Sequence, residues 1–166
     1  MKRLLAVLIA FAIPALCADD AVVSTLVKHW QTSKAYTLAI AEQMPEDGYA
    51  SKPNPEQMTF AEQMMHIAGA NAYFVSKVTG TQSPLGKPDK KDKATVIKML
   101  NDSYDYVIKS VGAVTPGQLT TVADFGEGKM SGLDALLLAA DHATHHRGQC
   151  IVYLRVKGIK PADYRF

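Results

Sequence analysis

Apolar side chains recur at steps of three and four residues along four segments of the chain, a periodicity that predicts four amphipathic helices. The first helix is predicted from about Asp20 to Met44, because Pro45 cannot continue it. A long polar loop over residues 46–57 separates it from the second helix. The apolar positions of the first helix are Val23, Leu26, Val27, Trp30, Leu38 and Ala41.

The second and third helices are marked by the residues at their starts. Thr59 and Glu62 have the spacing of a capping box, so Thr59 is the predicted N-cap of the second helix, which Gly80 ends. Asp92 is the predicted N-cap of the third helix. The apolar side of the second helix holds Phe60, Met64, Ile67, Phe74 and Val78, and that of the third holds Val96, Leu100, Tyr104, Val107 and Val111.

A long irregular connection over residues 112–130 precedes the last helix. Such a connection can cover a site, so a lid is one interpretation of it. The last helix is predicted from a box-like start at Ser131 to Lys157, where Gly158 is suited to end it. No segment shows strand alternation of useful length. The predicted fold class is therefore all-α, a four-helix bundle.

The N-terminus has the layout of a secretory signal peptide. A short basic start precedes an apolar run over residues 4–16, and small residues follow. The run is too short to span a bilayer comfortably, so we expect no stable membrane span. We predict a leader over residues 1–18 and a bundle domain over residues 19–166, with cleavage after Cys17 or Ala18.

Such a leader predicts a periplasmic or secreted protein. A lipoprotein anchor at Cys17 is less favoured, because bulky Leu16 stands where such sites need a small residue. Once the leader is removed, Cys150 is the only cysteine. No intramolecular disulfide can then form, although the expected destination is oxidising. The fold must be stabilised by its hydrophobic core, with or without a metal ion.

Composition and charge exclude some classes of function. The 166 residues, 48% apolar and 20% charged, are typical of one globular domain. The net charge is +2, and removing Lys2 and Arg3 with the leader reduces the 18 basic residues to 16, equal to the 16 acidic ones. The lysine-rich segment 87–93 contains no aromatic residue, which favours solvated surface. We therefore expect no nucleic-acid partner.

Histidines are the strongest candidates for chemistry. His142 and His146 are four residues apart in the last predicted helix, so both imidazoles lie on one helix face and can close on one metal ion. A third imidazole from a facing helix would complete a three-His site with open positions, as in catalytic zinc centres. His66, in the apolar second helix, is the candidate. A pair of His142 with His145 is also geometrically feasible, and an isolated pair could instead be partly exposed and hydrogen-bonded.

Other candidate residues have different interpretations. His145 is interpreted as lying behind the ligands or on the surface, and His29 as structural or on the surface. Cys150 follows the histidine pair by one helical turn, and we expect it to be buried and unreactive. Asp134 and Asp141 share the helix with the pair, but neither falls on its face. No general base is therefore assigned.

Two motifs carry a resemblance to a known family. Residues 142–157, which contain His-His-Arg-Gly-Gln, resemble the last helix of the DinB/YfiT-like superfamily. Residues 60–68 resemble its second helix with the metal histidine, and residues 49–56 resemble its usual lead-in. The resemblance implies a four-helix bundle of up-down-down-up topology, often dimeric, with a divalent metal ion held by three histidines. Carried over by position, the ligands are His66, His142 and His146.

The functional prediction is an exported, divalent-metal-binding protein that acts as a metal-dependent hydrolase on an unidentified small molecule. Imidazole suits zinc, nickel and iron alike, so the metal stays open. A non-catalytic periplasmic metal- or small-ligand-binding protein is the first alternative. A thiol S-transferase, an activity of some members of the superfamily, is the second. Export disfavours the transferase, because reduced thiol cofactors are mostly cytoplasmic, as are most relatives. The resemblance also implies a homodimer as one option.

Overall fold

The computed structural model describes the backbone of residues 16–126 and 128–165, with side chains from residue 20 onward. The described helices are α1 (Leu16–Gln43), α2 (Phe60–Thr79), α3 (Lys93–Gly112), α4 (Pro116–Thr120) and α5 (Gly132–Val156). A 3-10 turn covers Glu46–Gly48, and strands β1 (Val122–Asp124) and β2 (Lys129–Ser131) pair antiparallel. The predicted leader lies outside the described residues except for its last three, which begin α1.

Side-chain caps set the starts of the long helices after α1, as predicted. The Thr59 hydroxyl accepts from the Glu62 backbone N–H, and the Glu62 carboxylate accepts from the Thr59 N–H, which completes the capping box. Asp92 is the N-cap of α3 and accepts from the Thr95 backbone N–H. Ser131 is the N-cap of α5 and accepts from the Asp134 backbone N–H. The described part of the first helix already includes Leu16, upstream of the predicted start near Asp20, because no proline or glycine interrupts the chain between those residues.

Contacts between helices give their directions. Near the end of α1, the Lys93 ammonium donates to the Glu42 carbonyl, so the start of α3 lies beside the end of α1 and the two run antiparallel. The Ser103 hydroxyl donates to the Ala68 carbonyl midway along α3 and α2. The Lys91–Glu62 ion pair joins the starts of these two helices, which are therefore parallel.

Helix α5 closes the bundle and completes its topology. The Tyr153 hydroxyl, near the end of α5, donates to the Met58 carbonyl just before α2. Helices α5 and α2 are therefore antiparallel, and the order is up-down-down-up, which confirms the topology implied by the resemblance. Within the described ranges, no helix combines the length and the apolar character that a membrane span needs.

A buried arginine fixes the rotation of α5 against α1. Arg147 is 5% exposed and donates to the hydroxyls of Ser33 at 2.9 Å and Thr37 at 3.3 Å. Its guanidinium also lies 5.1 Å from the ring centre of Tyr36. Since Arg147 directly follows His146, these contacts to α1 direct the histidine pair toward α2.

The connection between α3 and α5 differs from the irregular stretch that the sequence predicted. It contains the short helix α4 and the β1–β2 hairpin, with Val122 paired to Ser131. Each strand is only three residues long, too short for period-2 alternation to be visible in the sequence. The hairpin is joined to α2, because the Tyr73 hydroxyl donates to the Phe125 carbonyl at 3.1 Å and Phe125 stacks on Phe74.

The lysine-rich segment is only partly the solvated surface that its composition indicated. Lys87 and Lys90 are exposed. Lys93, in contrast, donates to the carbonyls of Glu42 and Met44 at 2.7 and 2.8 Å and satisfies the C-terminal end of α1.

Candidate metal site

Three imidazoles from two helices meet at the α2–α5 interface. His66 Nε2 lies 3.0 Å from His142 Nε2, although the two residues are 76 positions apart in the chain. His66, His142 and His146 each offer one ring nitrogen, and these three atoms all lie within 4.8 Å of one another. The His66 side of the group is exposed, and the other two histidines are half-buried. The structure thus brings together the three residues that the sequence singled out.

The distances between the nitrogens suit a small divalent cation. With Zn–N bonds near 2.0–2.1 Å, tetrahedral ligands are separated by about 3.3 Å. The 3.0 Å separation of His66 Nε2 and His142 Nε2 is close to that value, and all three ring nitrogens lie within 4.8 Å of one another. The group can therefore hold a metal ion, and its three nitrogens leave at least one coordination position for another ligand.

A buried glutamine orients one member of the group. Gln63 is 3% exposed, and its Oε1 accepts from His146 Nδ1 at 2.6 Å, which leaves His146 Nε2 free to act as a ligand. Gln63 Nε2 in turn donates to Gln149 Oε1 at 2.6 Å, and Gln149 Nε2 donates to His145 Nε2 at 2.7 Å. Such outer hydrogen bonds fix the tautomer and the ring orientation of metal-binding histidines.

Neither glutamine was singled out by the sequence reasoning. A usable signal exists, however, because Gln63 lies three residues before His66 and Gln149 three residues after His146. Residues at that spacing lie on the same helix face as the histidines. Polar side chains one turn away from candidate ligands on an apolar face are the pattern to look for.

Burial keeps two of the imidazoles neutral. Desolvation lowers the pKa of His142, and the neighbouring His66 and His145 lower it further. Desolvation and the same histidines, together with His142, lower the pKa of His146 to about 4. A metal ligand must be neutral imidazole, so at neutral pH these side chains are already in the binding form. The Nδ1 atom of His142 is buried without a hydrogen-bond partner.

We expect the metal-free protein to lose stability as the pH falls from about 6.5 to about 4. In this window the unfolded chain takes up a proton at His146 that the folded protein excludes, so protons favour unfolding. Above a pH of about 6.5, His146 is neutral in both the folded and the unfolded chain, so its full contribution to stability is present. Urea unfolding with a chelator across this pH range measures it. His146→Asn should make the free energy of unfolding less dependent on pH, and His29→Asn should not. The same pH dependence in His146→Asn and the wild type would contradict the assignment of the effect to His146.

The other candidate residues lie outside the three-His group. His145 is exposed, and its ring edge contacts His146 at a centroid distance of 5.0 Å, so the structure does not pair it with His142 as a ligand. His29 is exposed and contacts the edge of Trp30. The Asp134 carboxylate accepts from the Ser131 hydroxyl at the start of α5.

Cys150 is buried, as expected from the sequence, and its burial raises the pKa of its thiol. Since the thiolate is the reactive form, we expect no labelling of the native protein by a disulfide reagent at pH 8. Under the same conditions the urea-unfolded chain should be labelled completely. Rapid labelling of the native protein, slowed by added zinc, would instead place the thiol at the metal group.

Two cavities adjoin the histidines. The first, here called the aromatic cavity, has a volume of about 610 Å³. It is lined by Met65, His66, Gly69, Ala70, Tyr73, Phe74, Phe125, Leu138 and His142. Phe125 belongs to the hairpin connection, so the stretch that the sequence left open as a lid supplies one wall of this cavity.

The second cavity, here called the lysine cavity, has a volume of about 600 Å³ and shares Met65 and His66 with the first. Its remaining lining residues are Met58, Glu62, Gly86, Lys87, Pro88, Lys91 and Met99. A hydrogen bond from Lys91 is the largest of the interactions that lower the pKa of Glu62, to about 2, so its carboxylate is charged. Glu62 is the only carboxylate that lines either cavity among the described residues.

The chain is similar to known proteins in both sequence and fold. Residues 18–165 match the DinB family. A protein of Bacillus subtilis strain 168, named only as the uncharacterized protein YjoA, is 28% identical over 139 residues, which are 80% of this chain and 89% of that protein.

Two solved structures are similar to this fold. The crystal structure of the DinB-like protein YjoA from Bacillus subtilis has a TM-score of 0.72 and 24% identity, covering 85% of this chain and 97% of that one. A DinB-like protein from Bacillus cereus ATCC 10987 has a TM-score of 0.73 and 20% identity, with the same coverage. At these identities the two structures support the fold of the chain rather than an activity.

Proposed function

Since the chain belongs to the DinB family, we propose that it binds one divalent metal ion through His66, His142 and His146 and hydrolyses a small amide or ester. One observation carries the proposal. Three ring nitrogens converge within 4.8 Å of one another at the boundary of two cavities, each large enough for part of a small substrate.

The donor set supports a catalytic rather than a structural site. Structural zinc sites fill four positions, commonly with cysteine, whereas three protein ligands and an open position are typical of catalytic centres. Here the group consists of three imidazoles. Cys150, the one cysteine whose side chain the structure describes, is buried in the core. When bound, a divalent ion supplies Lewis acidity that activates water and polarises a carbonyl group.

The residues of the chain itself would bind and orient the reactants. Gln63 holds His146 in one tautomer through a 2.6 Å hydrogen bond, so the ring does not need to reorient during the reaction. The apolar side chains of the aromatic cavity, Phe74 and Phe125 among them, exclude water from one side of the group. Exposed His66 leaves the other side open for substrate entry.

Metal analysis followed by a substrate panel tests the proposal. Untagged protein should contain about one zinc, nickel or iron ion per chain and release amine or alcohol from small amides or esters. His66→Ala should abolish that activity, and His29→Ala should not. Bound metal without turnover on any substrate would favour the non-catalytic binding protein, and thiol-dependent opening of epoxides would favour the transferase. Protein with no metal at any concentration would overturn the proposal.

Export is part of the same proposal and rests on the basic start and the apolar run over residues 4–16. The protein would then reside in the periplasm or outside the cell. Cell fractionation and N-terminal sequencing test this directly, with a mature start at Ala18 or Asp19 as the expected result. A cytoplasmic protein that keeps Met1 would contradict export and would strengthen the case for the thiol transferase.

A further inference from the structure

The two cavities beside the histidine group differ in chemical character. Both are bounded by Met65 and His66, so a molecule centred on the group can extend into each of them. Among the described residues that line the aromatic cavity, the only ionisable group besides the histidines is the Tyr73 hydroxyl, which donates to the Phe125 carbonyl. In the lysine cavity three charged side chains line the wall.

The aromatic cavity is suited to an apolar or planar group. Phe74 and Phe125 stack with ring centres 6.2 Å apart and an angle of 24° between their planes. Gly69 contributes no side chain, and a Cβ atom at that position would meet nothing within 4 Å. The volume of about 610 Å³ therefore stays open next to a wall of aromatic carbon.

The lysine cavity carries an excess of one positive charge. Lys87 and Lys91 contribute two positive charges and Glu62 one negative charge, so the sum is +1. Lys91 is paired with Glu62 at 2.7 Å. Lys87 makes no ion pair with any described residue and is exposed. One anionic group on a substrate would complement this charge.

We propose that the substrate joins an apolar or aromatic acyl group to a fragment with one negative charge, as in an N-acyl amino acid. The proposal rests on the hydrolytic function proposed above. The acyl group occupies the aromatic cavity, the carboxylate lies near Lys87, and the amide bond is placed at the histidine group. In hydrolysis, the oxygen of water bonds to the acyl carbon and the carbon–nitrogen bond breaks. Both protons of the water end on the nitrogen, which yields a carboxylate and a free amino acid with an ammonium group.

Three probes separate the contributions of the two cavities. N-phenylacetylglycine has both features, its neutral glycinamide lacks the charge, and N-acetylglycine lacks the aromatic group. Binding is measured by calorimetry on the metal-free and the metal-loaded protein, and turnover by release of the amine. The wild-type protein should prefer the first probe over each of the others, by about fivefold for the charge and about tenfold or more for the aromatic group.

Variants assign each preference to its cavity. Lys87→Gln should reduce the preference for the acid over the amide to near unity, whereas Lys90→Gln, an exposed lysine that does not line the cavity, should leave it in place. Gly69→Leu should fill the aromatic cavity and remove the preference for phenylacetyl over acetyl. Leucine is favourable in a helix, so this variant is expected to fold.

The outcomes distinguish this proposal from the hydrolytic one. Hydrolysis of neutral and charged amides at equal rates, with Lys87→Gln like the wild type, would support the hydrolase and overturn the inference about the substrate. Selective binding of the acid without any turnover would support the inference about the two cavities and contradict the hydrolase. Equal binding of all three probes would overturn the inference irrespective of activity.

Discussion

Single replacement of His66, His142 or His146 by alanine is expected to reduce metal content from about one ion per chain to a small fraction of that. The three nitrogens lie within 4.8 Å of one another, and no carboxylate or thiolate of the described residues joins the group, so none of these substitutes for a missing ligand. Loss of an outer hydrogen bond alone costs about 10–100-fold in metal affinity, and loss of a ligand should cost more. Elemental analysis of untagged protein at equal metal concentration measures the effect.

His29→Ala is the matched control for this series, because His29 is exposed and lies outside the group. It should keep the metal content of the wild type. Gln63→Leu should give an intermediate loss, since it removes the acceptor of His146 Nδ1 but leaves every ligand in place. If His66→Ala retained full metal content, the three-His site would be wrong, and a site based on α5 alone would have to replace it.

Gly132→Ala is expected to destabilise the protein by about 3 kcal/mol, which corresponds to roughly 6–12 °C in Tm. A Cβ at this position would lie 2.1 Å from the Gln118 carbonyl oxygen and 3.1 Å from Val78 Cγ1. The first contact is with backbone, so α4 or the start of α5 must move. Helix α4 is also tied to α2, because the Gln118 amide donates to the Thr79 carbonyl at 2.9 Å.

Gly148→Ala is the control for Gly132→Ala. Gly148 lies in the interior of the same helix, and a Cβ there would meet nothing within 4 Å. The substitution should stabilise the protein by about 0.5–1 kcal/mol, because alanine loses less conformational entropy than glycine in a helix. Urea unfolding of the two variants beside the wild type measures both effects. A similar change in the free energy of unfolding in both variants would mean that a Cβ at position 132 does not clash with the Gln118 carbonyl.

Local signals account for much of what the sequence predicted. The caps at Thr59, Asp92 and Ser131 act within three residues of themselves, so helix starts could be read without knowledge of the tertiary fold. The four-residue spacing of His142 and His146 is likewise a local signal, because it places both imidazoles on one face of a helix. The β1–β2 hairpin was missed, because its three-residue strands are stabilised by packing of Phe125 on α2, which no local pattern reports.

Features that depend on two distant segments were harder to predict. The hydrogen bond of Gln63 to His146 joins α2 to α5, and nothing near either residue specifies the other. The aromatic cavity arises because the hairpin connection is placed over α2, which is a property of the assembled bundle. The pairing of His66 with the α5 histidines came from the family resemblance together with the apolar setting of both segments.

The separation of 76 residues between His66 and His142 has a consequence for folding and metal uptake. Contacts between distant segments form late, because the intervening chain must be closed into a loop first. The site is therefore absent until α5 docks onto α2, and a chain that lacks its last helix has no place for the ion. Metal uptake would then report the completion of folding. With the proposed export, a chain that folds at its destination would take the metal available there rather than the one available where it was synthesised.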